Sequence, residues 1–171
     1  MSQKPNKVRV SVTKEIILIS TELGIPSRTR LIPGKEVKMT AKEIFDQMSK
    51  DPASLMPMNP TAKSLSVEEK NTLDELFTLL KDASLKTDNI DVAKNCLEIL
   101  SAPFGLLHQK REEAVEVIIE ATKIPELSSF ANRLIEGSKK MLRGSLLCGD
   151  KETEEVAENL LKLIERNNIE V

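Results

Sequence analysis

Val8, Val10 and Val12 alternate with Lys7, Arg9 and Ser11. A period of two predicts a short strand with one buried face. Glu15 to Ser20 is a denser apolar run, which fits either a second strand or the first turns of a helix. Leu23-Gly24-Ile25-Pro26-Ser27 interrupts the pattern. Arg28 to Ile32 is strand-like again, Pro33-Gly34 is a strong turn signal, and Glu36 to Met39 returns as another short strand. Residues 7–39 therefore read as a small β-rich element.

Helical spacing begins at Thr40. Thr40-Ala41-Lys42-Glu43 has the form of a capping box, and Ile44, Phe45 and Met48 follow on one helical face. Residues 49–65 hold Pro52, Pro57 and Pro60, which predicts an extended, semi-rigid connector. A second capping box, Ser66-Val67-Glu68-Glu69, opens a stripe of Leu73, Leu76, Phe77 and Leu80. Three further stripes follow: Ile90, Ala93, Cys96, Leu97 and Leu100; then Ala114, Val115, Ile118 and Ile119; then Leu127, Phe130, Ala131, Leu134, Ile135, Met141 and Leu142. Pro125 suits the first turn of the last of these. The final helix is capped by Asp150 and carries Val156, Ala157, Leu160, Leu161 and Ile164.

The pattern predicts a mainly α protein. A C-terminal bundle of about five antiparallel amphipathic helices carries a small β-rich N-terminal element, so α+β overall is within reach. The divisions are residues 1–48 (a basic arm of short strands and one helix), 49–65 (the proline-rich connector) and 66–171 (the bundle). A short stack of helical hairpins is the alternative, but no internal repeat of fixed period supports it.

Composition narrows the functions. The 171 residues are 40% hydrophobic and 30% charged, as in a soluble globular chain. No run of about 18 apolar residues is present, so no membrane-inserted helix is expected. Ile16 to Ile19 is too short for the core of a signal peptide, which takes roughly 7–15 residues. A cytoplasmic or other intracellular location is expected. Trp and Tyr are absent, and the aromatics are Phe45, Phe77, Phe104 and Phe130. Binders of single-stranded nucleic acid stack bases on aromatic platforms, so four scattered Phe residues read as core.

The two cysteines, Cys96 and Cys148, form no CxxC pair. One histidine, His108, cannot build a His-based metal cluster. Neither a phosphate-cradling Walker loop nor a dinucleotide-binding glycine motif is present. No catalytic, cofactor-binding or metal-ligating residue is therefore assigned, and no cofactor is expected. Cys96 lies in an apolar stripe and reads as a small hydrophobe. Cys148, beside Gly149, reads as the more reactive thiol.

Charge is divided unevenly. Residues 1–50 carry ten Lys or Arg against five acids, a net +5, and the remainder carries a net −7. Such asymmetry points to an interaction arm that meets acidic protein, another copy of the chain or phosphate. Within the arm, Ile19-Ser20-Thr21-Glu22-Leu23-Gly24-Ile25-Pro26-Ser27-Arg28-Thr29-Arg30-Leu31 resembles the centre of a helix-turn-helix. That resemblance, over 19–32, implies a recognition helix presenting Arg28 and Arg30 to a DNA groove. Pro33-Gly34 would stop such a helix after about two turns. The alternation at Val8, Val10 and Val12 also resembles the strand of a ribbon-helix-helix protein, although the interval to Gly24 is short for that fold.

Two sets of contact residues follow. Met56, Pro57 and Met58 form an adaptable apolar segment suited to a partner groove, or a strap that folds back over the bundle. Arg28, Arg30, Lys35 and Lys38 are the candidates for an acidic partner or nucleic acid. The acids that open the last helix, Asp150, Glu152, Glu154, Glu155 and Glu158, read as complements of the helix dipole. The sequence is best read as a non-catalytic interaction, adaptor or assembly protein, whose basic arm engages a partner or another copy. A nucleic-acid-binding transcriptional regulator is the second reading.

Overall fold

A computed structural model describes residues 6–19, 26–57, 65–86, 88–102 and 107–167. In chain order the elements are β1 (Val8–Ile19), β2 (Pro26–Met39), α1 (Ala41–Met48), β3 (Leu55–Pro57), α2 (Val67–Ser84), α3 (Ile90–Leu100), a 3-10 turn (His108–Lys110), α4 (Arg111–Ala121), α5 (Pro125–Ser145) and α6 (Lys151–Asn167). The protein is mainly helical, with a small N-terminal sheet of order β2-β1-β3, antiparallel throughout.

Both capping boxes form. Thr40 accepts from the Glu43 amide at 3.2 Å while the Glu43 carboxylate accepts from the Thr40 amide at 3.0 Å. Ser66 and Glu69 repeat the arrangement at the start of α2. Pro125 occupies the first turn of α5, where its missing N–H costs nothing.

From α2 onward, each helix packs chiefly against the next and the next but one. The bundle is therefore stacked along the chain order, and its core has two parts. The larger joins Val8 and Val10 of β1, Ala41, Ile44 and Met48 of α1 and Leu55 of β3 to α2 through α5. The smaller joins Val115 of α4 and Leu142 of α5 to Ala157, Leu160, Leu163 and Ile164 of α6. Residues on both sides of the connector thus share one core. Phe45, Phe77 and Phe130 are half-buried against that larger cluster, as expected of core aromatics, and Phe104 lies outside the described residues.

The N-terminal region differs from its expectation in three ways. Pro33-Gly34 is not a turn between two strands. Between the pairs Ser11–Glu36 and Thr13–Pro33, β1 advances two residues and β2 three, so Gly34 and Lys35 together oppose Val12. The pair marks a β-bulge inside one long strand, where Pro and Gly are tolerated because the ladder is already broken. Second, residues 26–32 are strand where the helix-turn-helix resemblance implies a recognition helix. They pair with 14–19, and β-branched and apolar residues on both strands favour the ladder over a helix flanked by Pro26 and Pro33. The Leu23-Gly24-Ile25 centre of that motif lies outside the described residues. Third, the connector contains β3. Leu55, Met56 and Pro57 pair with Val12, Ser11 and Val10, and Pro57 is accommodated because β3 is an edge strand.

Candidate interaction surface

The sheet has an anchored base and an extended arm. At the base Val8, Val10 and Leu55 are buried, at 3%, 0% and 4% exposure. The Lys7 amide donates to a Glu68 carboxylate oxygen at 3.0 Å, and Arg9 Nε stands 3.5 Å from Glu69 Oε2. Both acids lie in the first turn of α2, so the helix start fixes the strand that leaves it. Ser11, fully buried, donates its hydroxyl to the Gly34 carbonyl at 3.1 Å and braces the bulge.

The third strand ends where the bulge begins. Val12 pairs with Leu55, and the Thr13 amide makes a last bond to the Ser54 carbonyl at 2.9 Å. Beyond it, among the described residues, Lys14–Ile19 pair with β2 alone. Six residues at about 3.3 Å each carry this two-stranded ribbon about 20 Å past the three-stranded base. Its register sets Lys14 opposite Ile32, Ile16 opposite Arg30 and Leu18 opposite Arg28. Basic and apolar residues are thus paired across the two strands of the arm.

The four basic candidates all lie on β2. Arg28 and Arg30 sit in the arm, Lys35 in the bulge and Lys38 at the base, opposite Arg9. Lys35 and Lys38 are exposed. Met56 and Pro57 have their backbone committed to the sheet, and Met58 lies outside the described residues. Sequence reasoning missed Ile16 and Leu18 as the cross-strand partners of Arg30 and Arg28.

A second surface lies between α4 and α6. A groove of about 650 Å³ is lined by Glu112, Glu116, Lys162, Leu163, Glu165 and Arg166, with Asn159 at its side. Leu163 is buried at its floor and the flanking charges are exposed. Lys162 pairs with Glu158 at 3.1 Å. Helix α4 carries four acids and one base, and α6 five acids and three bases.

Of the two thiols, Cys96 is fully buried, and burial pushes its pKa up to about 11. Cys148 is exposed. Among the described residues no group of three His, Cys, Asp or Glu is placed to hold a metal ion, and no helix is long and apolar enough to cross a membrane. The chain matches no family model, no curated protein and no solved structure.

Proposed function

We propose that this chain is a non-catalytic interaction protein, an adaptor or assembly component acting inside the cell, and that its β-ribbon is the element that engages the partner. One observation carries the reading: the arm of β1 and β2 continues about 20 Å past the end of β3, with no third strand among the described residues on its β1 edge. An isolated two-stranded hairpin is marginal in water, and an open strand edge is a template for pairing. Apolar positions in such an arm are best satisfied by another molecule. The two edges differ. β2 carries Pro26, Pro33, two register shifts and the exposed Lys35 and Lys38, the devices that discourage strand addition. Between Lys14 and Ile19 β1 has no proline, and the extra residue at each register shift lies on β2, so the β1 edge is the contact side.

The test is photo-crosslinking in cells from a photoreactive residue at position 17, on the β1 edge. Crosslinks to protein are expected. Their absence, with crosslinks from an α5 control position still formed, would overturn the reading.

The shape of the ribbon also favours a second reading. A two-stranded ribbon fits the major groove of duplex DNA, and Arg28, Arg30, Lys35 and Lys38 would then meet phosphates and base edges. Binding to duplex should in that case weaken steeply with salt and be lost when the four become Ala.

A further inference from the structure

The geometry points to a second copy of this chain as the occupant of the β1 edge, paired antiparallel with it about a two-fold axis at Ile17. The inference rests on the ribbon being the docking element and names its partner. The phase of the backbone carries it. Thr13 donates its amide to the Ser54 carbonyl at 2.9 Å, so its N–H and C=O point to the side on which β3 lies. Backbone polar groups alternate between the two edges of a strand. Glu15, Ile17 and Ile19 therefore repeat the phase of Thr13 along the edge that β3 leaves, while Lys14, Ile16 and Leu18 turn theirs to β2. The prolines of β2 agree with this phase. Pro33 and Pro26 stand opposite Thr13 and Ile19, at rungs without β1–β2 hydrogen bonds, where proline takes no donor from the ladder. Three residues of β1 thus offer donor and acceptor together, with no partner strand among the described residues.

An occupant of this edge must itself be an extended strand with one free side, because it has to return an N–H and a C=O at every second residue. Strand β1 of another copy meets that demand, and it is complementary to itself. With Ile17 of one copy opposite Ile17 of the other, Glu15 of each faces Ile19 of the other, and every open residue of both strands is paired. Other centres do worse. One at Glu15 runs into Ser11 and Thr13, which β3 already holds. One at Ile16 leaves Ile19 unpaired, and one at Leu18 leaves Glu15 without a partner inside β1. Residues 16–19 read Ile-Ile-Leu-Ile, with no proline or lysine, so nothing in them opposes pairing with their own kind. The added strand continues the line of β3 on the same edge. The joined ribbons run β2-β1-β1-β2, which puts the strand with Pro26, Pro33 and both register shifts at each margin. Addition therefore stops at two copies.

Sedimentation equilibrium of the full chain tests this. The mass should pass from monomer to dimer as concentration rises and go no further. Ile17→Pro removes an outward N–H and leaves the bonds between β1 and β2 in place, so it should give a monomer with an unchanged circular dichroism spectrum. Ile17→Lys and Ile17→Glu test the same register without proline. Each alone sets like charges opposite one another and should weaken the dimer roughly fivefold or more. An equimolar mixture of the two should associate more tightly than either, because position 17 meets position 17. A chain that is monomeric at every concentration overturns the second copy as occupant, and crosslinks from position 17 to another protein would then uphold the ribbon reading alone. Loss of both dimer and crosslinks overturns the two together. Growth past a dimer overturns the two-fold pairing. A dimer that survives Ile17→Pro, or a mixture no tighter than its parts, overturns pairing about Ile17.

Discussion

Val12 pairs with Leu55 at the last rung of β3, and the two residues divide the sheet. Leu55 is 4% exposed and belongs to the core, whereas Val12 is 36% exposed. On one side of this pair the sheet is three strands wide and rests on helices. On the other it is two strands wide. Leu55→Ala should therefore cost about 2–5 kcal/mol, the range for deleting a buried Leu side chain. Val12→Ala should cost less than about 1 kcal/mol, as at other partly exposed positions. Urea unfolding followed by circular dichroism measures both. Equal losses would mean that Val12 is as deeply seated as Leu55.

Just past this pair the hydroxyls of Thr13 and Ser54 are buried without hydrogen-bond partners. An unsatisfied buried hydroxyl carries its desolvation cost with no return. Thr13→Val keeps the shape and the β-branching and removes that group. Stability should hold or rise in the same assay, and a loss above about 1 kcal/mol would show that the hydroxyl is satisfied in solution.

The capping boxes link stability to pH. Thr40→Ala and Ser66→Ala should each cost about 1 kcal/mol. The Glu43 carboxylate is held below its ordinary pKa of 4.5 by the Thr40 backbone amide, with help from the Thr40 side chain. For Glu69, partial burial pushes upward, and the Ser66 amide and Arg9 outweigh it, so its pKa is also lowered. A carboxylate whose folded pKa is depressed contributes stability that is complete above the unfolded value. That contribution is lost as pH falls through the folded one. The difference in stability between wild type and Glu43→Gln/Glu69→Gln should be present near neutral pH and shrink as pH drops below 4.5. A difference that stays constant through the acid range would contradict the assignment.

The thiols should separate cleanly. Exposed Cys148 should react with a thiol-specific chromogenic reagent in the native protein. Cys96 is fully buried and its pKa is raised to about 11, so it should react only after unfolding. One equivalent released under native conditions and two in denaturant is the expected count, and Cys148→Ser should abolish the native one.

Helices were legible wherever their signals were local. Thr40 with Glu43, Ser66 with Glu69, and Pro125 each announced a helix start within four residues, and all three starts form. The sheet was less legible, because its signals are split across the chain. Pro33-Gly34 is the same dipeptide in a turn and in a bulge, and only the pairing with Ser11 and Thr13 distinguishes them. Glu15 to Ser20 fits strand or helix in isolation, and its partners on β2 decide for strand. Leu55–Pro57 is too short to predict, since its β character exists only in contact with Val10–Val12. Arg28 and Arg30 were visible by charge, but their cross-strand partners Leu18 and Ile16 emerged only once the register was known.

Residue-resolved hydrogen exchange across a range of protein concentrations tests most directly whether the ribbon is a free arm that awaits a partner. Amides of Val10–Val12 lie inside a three-stranded sheet and should be slow at every concentration. Amides of Lys14–Ile19 should exchange much faster in the dilute chain and slow as concentration rises and copies associate. If Lys14–Ile19 are as protected as Val10–Val12 in the most dilute sample, and concentration changes nothing, the arm is already covered within its own chain and the proposed role fails.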